Sequence, residues 1–447
     1  MSMATIARLK LLAAVAGAIL AQGLVGVAAV SAGEAAAPAG AAPPATGNVA
    51  PPAVSKVEPE LAPDPKIIEI LNGLGEGSSA LLPPIRTAGE FNEVARSYNM
   101  QKTGPGGRNY CNKMVWAPDR KRALYCGGNH GAPHRLNDAW EYDLPSNTWV
   151  LLFAPDPSGD VNQAAIEEQE VKLADGKAAK YKVLCTKRGG PFDPCHTWWG
   201  LTYDPGMKAM LWMNSVSFMR GAALEKLGVD AKAKDLAPWP PLWAFYPYEK
   251  KWRRVLTGTP RPGAMQGGSM EYVPELKGSV WYGNEWCWSG MWVYQHEANS
   301  WKDLKPNGKS RFYATGKEFP PAELVTCYDS DSKVLVAQRD KTTYHYDVAA
   351  NKWEVALSKP KDSGEVPSAH DANSTFAYDS VGKVCVLLTG KQLWTYQPAE
   401  RKWNRLSPKG PPVPTGQGIG YFDPARNVFV VNSGASVWVY RHKRAAK

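Results

Sequence analysis

Short apolar-polar alternations fill the chain from about residue 90 to 444, and each is bounded by a turn-forming cluster. In one repeat Ser374-Thr375-Phe376-Ala377-Tyr378 and Lys402-Trp403-Asn404-Arg405-Leu406 alternate, and Val384-Cys385-Val386-Leu387-Leu388 between them is an apolar run. A period of two predicts strands. The alternations come in groups that share aromatic marks. The pair Trp140/Tyr142 recurs as Trp243 with Phe245 and Tyr246, then as Trp292/Tyr294, Tyr344/Tyr346, Trp394/Tyr396 and Trp438/Tyr440. A second Trp follows in five copies: Trp149, Trp252, Trp301, Trp353 and Trp403. Upstream of each pair an aromatic precedes a turn and a basic residue, as from Trp116 to Lys121, Tyr203 to Lys208, Tyr328 to Lys333 and Tyr378 to Lys383. Tyr272 to Lys277 and Phe422 to Arg426 are looser copies. The first residues of successive pairs lie 103, 49, 52, 50 and 44 positions apart. A helical period appears before the repeats: Ile67, Ile70, Leu71 and Leu74 share a face, Asp64 suits an N-cap, Pro65 the first helical position and Gly73 the end.

A period near 50 predicts four strands per repeat, with the Trp-x-Tyr pair on strand three and the second Trp on strand four. One such sheet cannot bury both faces alone. Radial stacking buries them and leaves short edges. The expected fold is therefore all-β: a six-bladed β-propeller with four-stranded blades. The sixth copy stops at Tyr440 and lacks strand four, so an N-terminal strand must close the last blade. Glu90-Phe91-Asn92-Glu93-Val94 is the segment expected to do so. Insertions are expected near 153–195 and 214–240, the second with a short helix at 221–228. Seven blades are the alternative, the first insertion then hiding a blade.

The pattern resembles the Kelch repeat, the blade type of the galactose-oxidase central domain. The likeness covers roughly residues 90 to 444 and is strongest at 111–152, where Gly127-Gly128 is followed by Leu136-Asn137-Asp138-Ala139-Trp140-Glu141-Tyr142-Asp143. Most other copies lack the glycine doublet. The resemblance raises copper-radical chemistry. Its cross-linked Cys–Tyr, second Tyr and two His cannot be mapped onto this chain, so no cofactor is expected.

Residues 1–32 read as a secretory signal peptide: Arg8 and Lys10, an uncharged run from Leu11 to Val30, then Val30-Ser31-Ala32. An uncleaved anchor is the rival, and no later segment is apolar enough to span a membrane. An Ala/Pro-rich tether follows over 33–64, then a docking helix and linker over 65–89. The expected location is secreted or periplasmic. Removing two cations takes the formal charge from +10 to +8, spread thinly except at the tail Arg441 to Lys447. Nucleic acid is not the expected partner.

In a propeller the strand two–three loops share a face with the connections between blades. The long loops of blades one to three all fall on that face. They are expected to frame the main pocket. Candidate ligand-binding residues there are His130, His134 and Arg135 in blade one, Arg188 and His196 in the first insertion, and Glu285, Trp286 and Trp288 in blade three. Seven residues before each blade's aromatic mark lie Asn109, His196, Met265, Pro321, Asp371 and Thr415, with His370 adjacent to Asp371. These positions are expected at the channel mouth. His130 and His134 with His196 or His370 could hold a metal, but their spacing lies in a Gly/Pro-rich loop, and no metal set is assigned. No phosphate loop or Gly-x-Ser-x-Gly elbow is present.

Seven cysteines leave at least one without an intrachain bridge. Cys111 and Cys126 straddle the turn at Pro118-Asp119 and would face each other in a symmetrical hairpin. Cys185 and Cys195 bracket a Gly/Pro-rich loop that a bridge would staple. The expected role is binding of a protein or a glycan at the loop-decorated face. The alternative is a carbohydrate-active enzyme, oxidase or epimerase-like, using a pocket there.

Overall fold

The computed structural model describes residues 61–445 apart from 107, 109, 129–134, 214–216, 264–266, 285–289, 311–316, 359–364 and 415–417. Six antiparallel blades form a closed ring. Their innermost strands are Val115–Ala117, Leu201–Asp204, Ser269–Val273, Val325–Asp329, Ser374–Asp379 and Ile419–Asp423. Each packs on the next, and the last packs on the first. No described helix is long and apolar enough to cross a membrane.

The aromatic marks explain why each sheet forms. On strands three and four, Tyr142 pairs with Trp149, Phe245 with Trp252, Tyr294 with Trp301, Tyr346 with Trp353 and Tyr396 with Trp403. These cross-strand rings lie 4.8 to 5.4 Å apart, centroid to centroid. Such pairs add about 0.5–1.5 kcal/mol beyond burial. The strand-four Trp also reaches the preceding blade. Trp252 donates to Asn137 O, Trp353 to Met291 Sδ and Trp403 to Thr343 Oγ1.

The turns are set by left-handed residues. Lys121, Lys208, Lys277, Lys333, Lys383 and Asn427 each stand five residues after a blade's first aromatic mark, and all have positive φ. The basic end of the mark is thus the residue that closes the strand one–two hairpin; in blade six it is Asn427, one place beyond Arg426. Asn147, Asn299 and Asn351 do the same at the strand three–four turns. Their side chains accept from Tyr142, Tyr294 and Tyr346. Each also donates to a carbonyl one blade back: Pro83, Leu256 and Leu304.

An N-terminal strand closes the ring, but from a different segment than expected. Ser78–Leu81 pairs antiparallel with Ser436–Arg441. Glu93–Ser97 is instead a short helix, because Asn92 caps it by accepting from the Ala95 amide at 2.9 Å. The closing strand hid from the pattern because its buried position is Ser79, while Leu81 is half exposed. Arg86–Gly89 adds a parallel fifth strand to blade one. Helix Pro65–Gly73 is N-capped by Asp64 and buries Ile67 and Leu71.

The first insertion is no seventh blade. It contains a two-stranded hairpin, Ala164–Lys172 with Ala178–Thr186. That hairpin meets the second insertion, where Lys182 bridges to Leu236. Ala164 and Phe192 form a small separate core with Ala223 of helix Arg220–Lys226.

The cysteine pairings are corrected. The blade-one hairpin sets Trp116 opposite Ala123, two residues off the symmetrical register. Cys111 therefore does not face Cys126, and its Sγ donates to the Cys126 carbonyl at 3.0 Å. Both are free buried thiols. Cys185, in the hairpin opposite Ala165, is likewise unbridged.

Trp353 is fully buried between two blades, so Trp353→Ala is expected to cost about 3–5 kcal/mol. Leu81→Ala, at a half-exposed position, should stay within about 0.5 kcal/mol. Denaturant unfolding of the two variants checks this. Equal losses would show that the inter-blade Trp is not a main support.

Candidate functional site

The channel has two mouths separated by a plug. Trp199 of blade two is fully buried and donates its indole N–H to Thr326 O of blade four at 2.8 Å. Beside it Lys113 Nζ lies 2.6 Å from Glu271 Oε1 and donates to Met270 O. Thr326 Oγ1 also donates to Glu271. Burial lowers the Lys113 pKa and raises that of Glu271, each toward its neutral form.

Below the plug a cavity of about 350 Å³ opens on the strand one–two turn face. All six first aromatic marks line it: Trp116, Tyr203, Tyr272, Tyr328, Tyr378 and Phe422. The hydroxyls latch neighbouring blades. Tyr203 donates to Asp119, Tyr328 to Glu275 and Tyr378 to Asp331, each acid lying in the turn of the preceding blade. Lys333 and Lys383 pair with those same acids, Glu275 and Asp331. Blade two has Gly206 where that acid would stand, and a histidine of blade three crosses there instead. His296 sits over Gly206, where a Cβ would come within 2.0 Å of its ring, and its Nδ1 lies 3.2 Å from Asp204. Several of the loops expected to frame the main pocket, 129–134, 214–216 and 285–289 among them, lie outside the described residues. Among the described residues the channel cavity opens opposite the decorated face.

The other mouth is different in kind. Tyr110, His196, Trp198 and Glu323 all have positive φ, and none closes a repeat turn. Left-handed bulky residues are costly and persist only where the surrounding structure imposes them. The rings of Tyr110, Trp198 and His196 form a row with His370 and Phe218, in which Trp198 is buried. His370 lies 6.3 Å from Tyr110, Tyr110 lies 6.4 Å from Trp198, Trp198 lies 4.4 Å from His196, and His196 lies 6.0 Å from Phe218. Arg135 covers the far end, 5.5 Å from the Phe218 ring. Phe218 is 56% exposed.

The inner end of the strip is charged. His370 Nε2 lies 2.9 Å from Glu323 Oε2, and Nδ1 lies 2.8 Å from Asp371 Oδ1. The Ala372 amide donates to the same Nδ1 in the neutral ring; the protonated ring gives up that bond and turns its Nδ1–H to Asp371. Arg339 reaches Glu323 at 3.3 Å. Asp371, fully buried, is held by burial up to about 6. Asp371 first, then Glu323, push His370 up to about 9.

Of the sequence candidates, His196, His370, Asp371 and Arg135 belong to this strip. Arg188 does not. It donates to Ala154 O, stacks on Phe153, and lines a groove at the outer edge of blade one. His130, His134, Glu285, Trp286 and Trp288 lie outside the described residues, as do Asn109, Met265 and Thr415. Among the described residues no His/Cys/Asp/Glu group could hold a metal. Tyr110, Phe218, Glu323 and Arg339 were missed. Tyr110 adjoins Asn109 of the counted ring, which was a usable signal. Glu323 and Arg339 carry none, since their place depends on a left-handed backbone and a strand end. No protein-family model matches the chain, and no curated protein matches it.

His370 titrates with a defined sign. Its folded pKa, about 9, exceeds the ordinary 6.5, so its stabilisation is complete below pH 6.5 and lost as pH rises through 9. Asp371 has the same sign between 3.8 and about 6. Between pH 6.5 and 9 the wild-type protein should lose about 1–2 kcal/mol more stability than His370→Gln, the full linkage being discounted for partial exposure. Urea unfolding at several pH values checks this, and parallel curves would remove the ion-pair assignment.

Proposed function

We propose that this is an exported Kelch-type propeller that binds a glycan across the loop-decorated mouth of its channel. The observation that carries the reading is exposed Phe218 at the end of a row of partly exposed rings, His196, Tyr110 and His370, packed on buried Trp198. Aromatic faces suit the apolar faces of sugar rings, and the flanking Arg135, Glu323 and Arg339 suit hydroxyls. The left-handed residues of the strip lie outside the repeat turns, unlike the left-handed lysines opposite. The turn-face cavity is the weaker site, because its tyrosines and its Lys113–Glu271 pair already bind one another across blades. The Kelch reading rests on the period near 50 and on Gly127-Gly128. Export rests on residues 1–32.

A second reading is favoured by one observation. Asp371 and His370 have pKa values pushed to about 6 and about 9 at the inner end of the strip. A neighbouring acid and base so tuned could move a proton on a bound sugar. That reading makes the protein a carbohydrate-active enzyme.

Calorimetry with neutral oligosaccharides of increasing length tests the binding reading. Affinity should rise until the sugar spans the strip, and Phe218→Ala should weaken it about tenfold without changing stability. Absence of binding to every oligosaccharide, or unchanged affinity in Phe218→Ala, overturns it. Product release that Asp371→Asn abolishes while binding persists would establish the enzyme instead.

A further inference from the structure

The turn-face cavity, at about 350 Å³, has the size of a small-molecule site. The plug of Trp199, Lys113 and Glu271 closes its inner end. Its walls are chiefly apolar. The six first aromatic marks stand around it, with Met114, Val115 and Phe376 between them and Pro118, Pro205 and Pro424 in the turns at its rim. The charges near it come in pairs: Lys113 with Glu271 at the floor, Lys333 with Glu275 and Lys383 with Asp331 at the rim. Three tyrosine hydroxyls are held by Asp119, Glu275 and Asp331. Groups already paired in this way gain little from a charged or heavily hydroxylated ligand. The ring faces are left as the recognising surface. Water against those faces lacks partners, so an apolar molecule that displaces it is favoured.

The ring of marks is uneven at one place. Tyr203, Tyr328 and Tyr378 are latched to the preceding blade, Trp116 stacks on Tyr421 at 5.9 Å, and Phe422 is buried. Tyr272 has no such support. The acid that would hold it is replaced by Gly206, and among the described residues its hydroxyl makes no hydrogen bond. Tyr272 is partly exposed and lines the cavity. Its hydroxyl is therefore the one among the marks that is open to a ligand. A closed floor also limits length, so a compact ring fits where a long acyl chain does not. Aromatic edges pack well on the aromatic faces that such a well presents.

We propose that this cavity is a second binding site, for a small neutral aromatic compound whose polar substituent is met by the Tyr272 hydroxyl. The site lies on the far side of the plug from the loop-decorated mouth and does not rest on the glycan reading.

Fluorescence titration and calorimetry of the full chain with 2-naphthol, neutral at about pH 7, and with naphthalene test the site. Both compounds are expected to bind saturably, 2-naphthol about three- to tenfold more tightly. Tyr272→Phe should remove that difference and leave naphthalene binding as it was. Ser380→Trp, at an exposed turn position on the rim, and Trp116→Ala, which takes away one wall, should each weaken both compounds about tenfold or more. All three variants should keep the wild-type far-ultraviolet circular dichroism. No saturable binding of either compound, or binding that both Ser380→Trp and Trp116→Ala leave unchanged, overturns the site. Equal affinity for the two compounds, or a difference that survives Tyr272→Phe, overturns the Tyr272 contact. Loss of 2-naphthol binding in Phe218→Ala would place the compound at the other mouth and overturn the site as well. Naphthol binding that Ser380→Trp weakens, in a protein that binds no oligosaccharide, leaves this site standing while the glycan reading falls.

Discussion

Everything in the ring depends on one contact: the strand-four Trp that packs on its own blade's Tyr or Phe and donates to the blade before. Trp252, Trp353 and Trp403 each do both. The ring pair makes a sheet from four short strands, and the indole N–H fixes that sheet against its neighbour. A blade is therefore incomplete without the blade preceding it. Such a chain of dependence has no stable open end, so closure is a requirement rather than an ornament. Blade one has no earlier blade in sequence. It finds one in the N-terminal strand: Asn147 donates to Pro83 just past Ser78–Leu81, as Asn299 and Asn351 donate just past strand four of their preceding blades.

The same closure explains why the channel is divided. Six inner strands leave a gap that must be filled or lined. Here blade two sends Trp199 across to Thr326 of blade four, and Lys113 and Glu271 complete the plug. The two halves then obey different rules. On the turn face every blade offers the same aromatic mark, and the polar groups are spent on holding adjacent blades. On the loop face the connections differ from blade to blade, and the backbone departs from ordinary geometry at Tyr110, His196, Trp198 and Glu323. A rigid ring can support such strain because its loops are anchored at both ends by strands.

The architecture was legible because its cause is periodic. Pairs such as Tyr346 and Trp353 stand opposite one another in every blade that has them, so spacing alone revealed strand order and blade count. The closing strand was not legible. In its register Ser79 faces Tyr440, in the place where Trp301 faces Tyr294. Without the Trp, nothing marks the segment, and the charged-apolar run at 90–94 drew attention instead. The site was legible in part. Counting back from the marks reached His196 and Asp371, because the inner strands begin at a common height. It could not reach Glu323 or Arg339, which arrive from blade four through one left-handed residue and one strand end.

The residues of the candidate site are those that break the repeat. A propeller blade repeated without change yields a symmetrical ring, and symmetry leaves no preferred place for a ligand. Asymmetry enters here at two insertions, which share a core around Ala164, Phe192 and Ala223. That core holds helix Arg220–Lys226 rigid beside blade two, and it brings Phe218, Trp239 and Arg220 to one side of the mouth. Opposite them stand His370, Asp371 and Glu323, from blades four and five. A ligand long enough to touch both sides would meet aromatic surface and arginine at one end and an acid–base pair at the other. For the ligand proposed, this asymmetry would set length and direction together, which the repeat alone could not do.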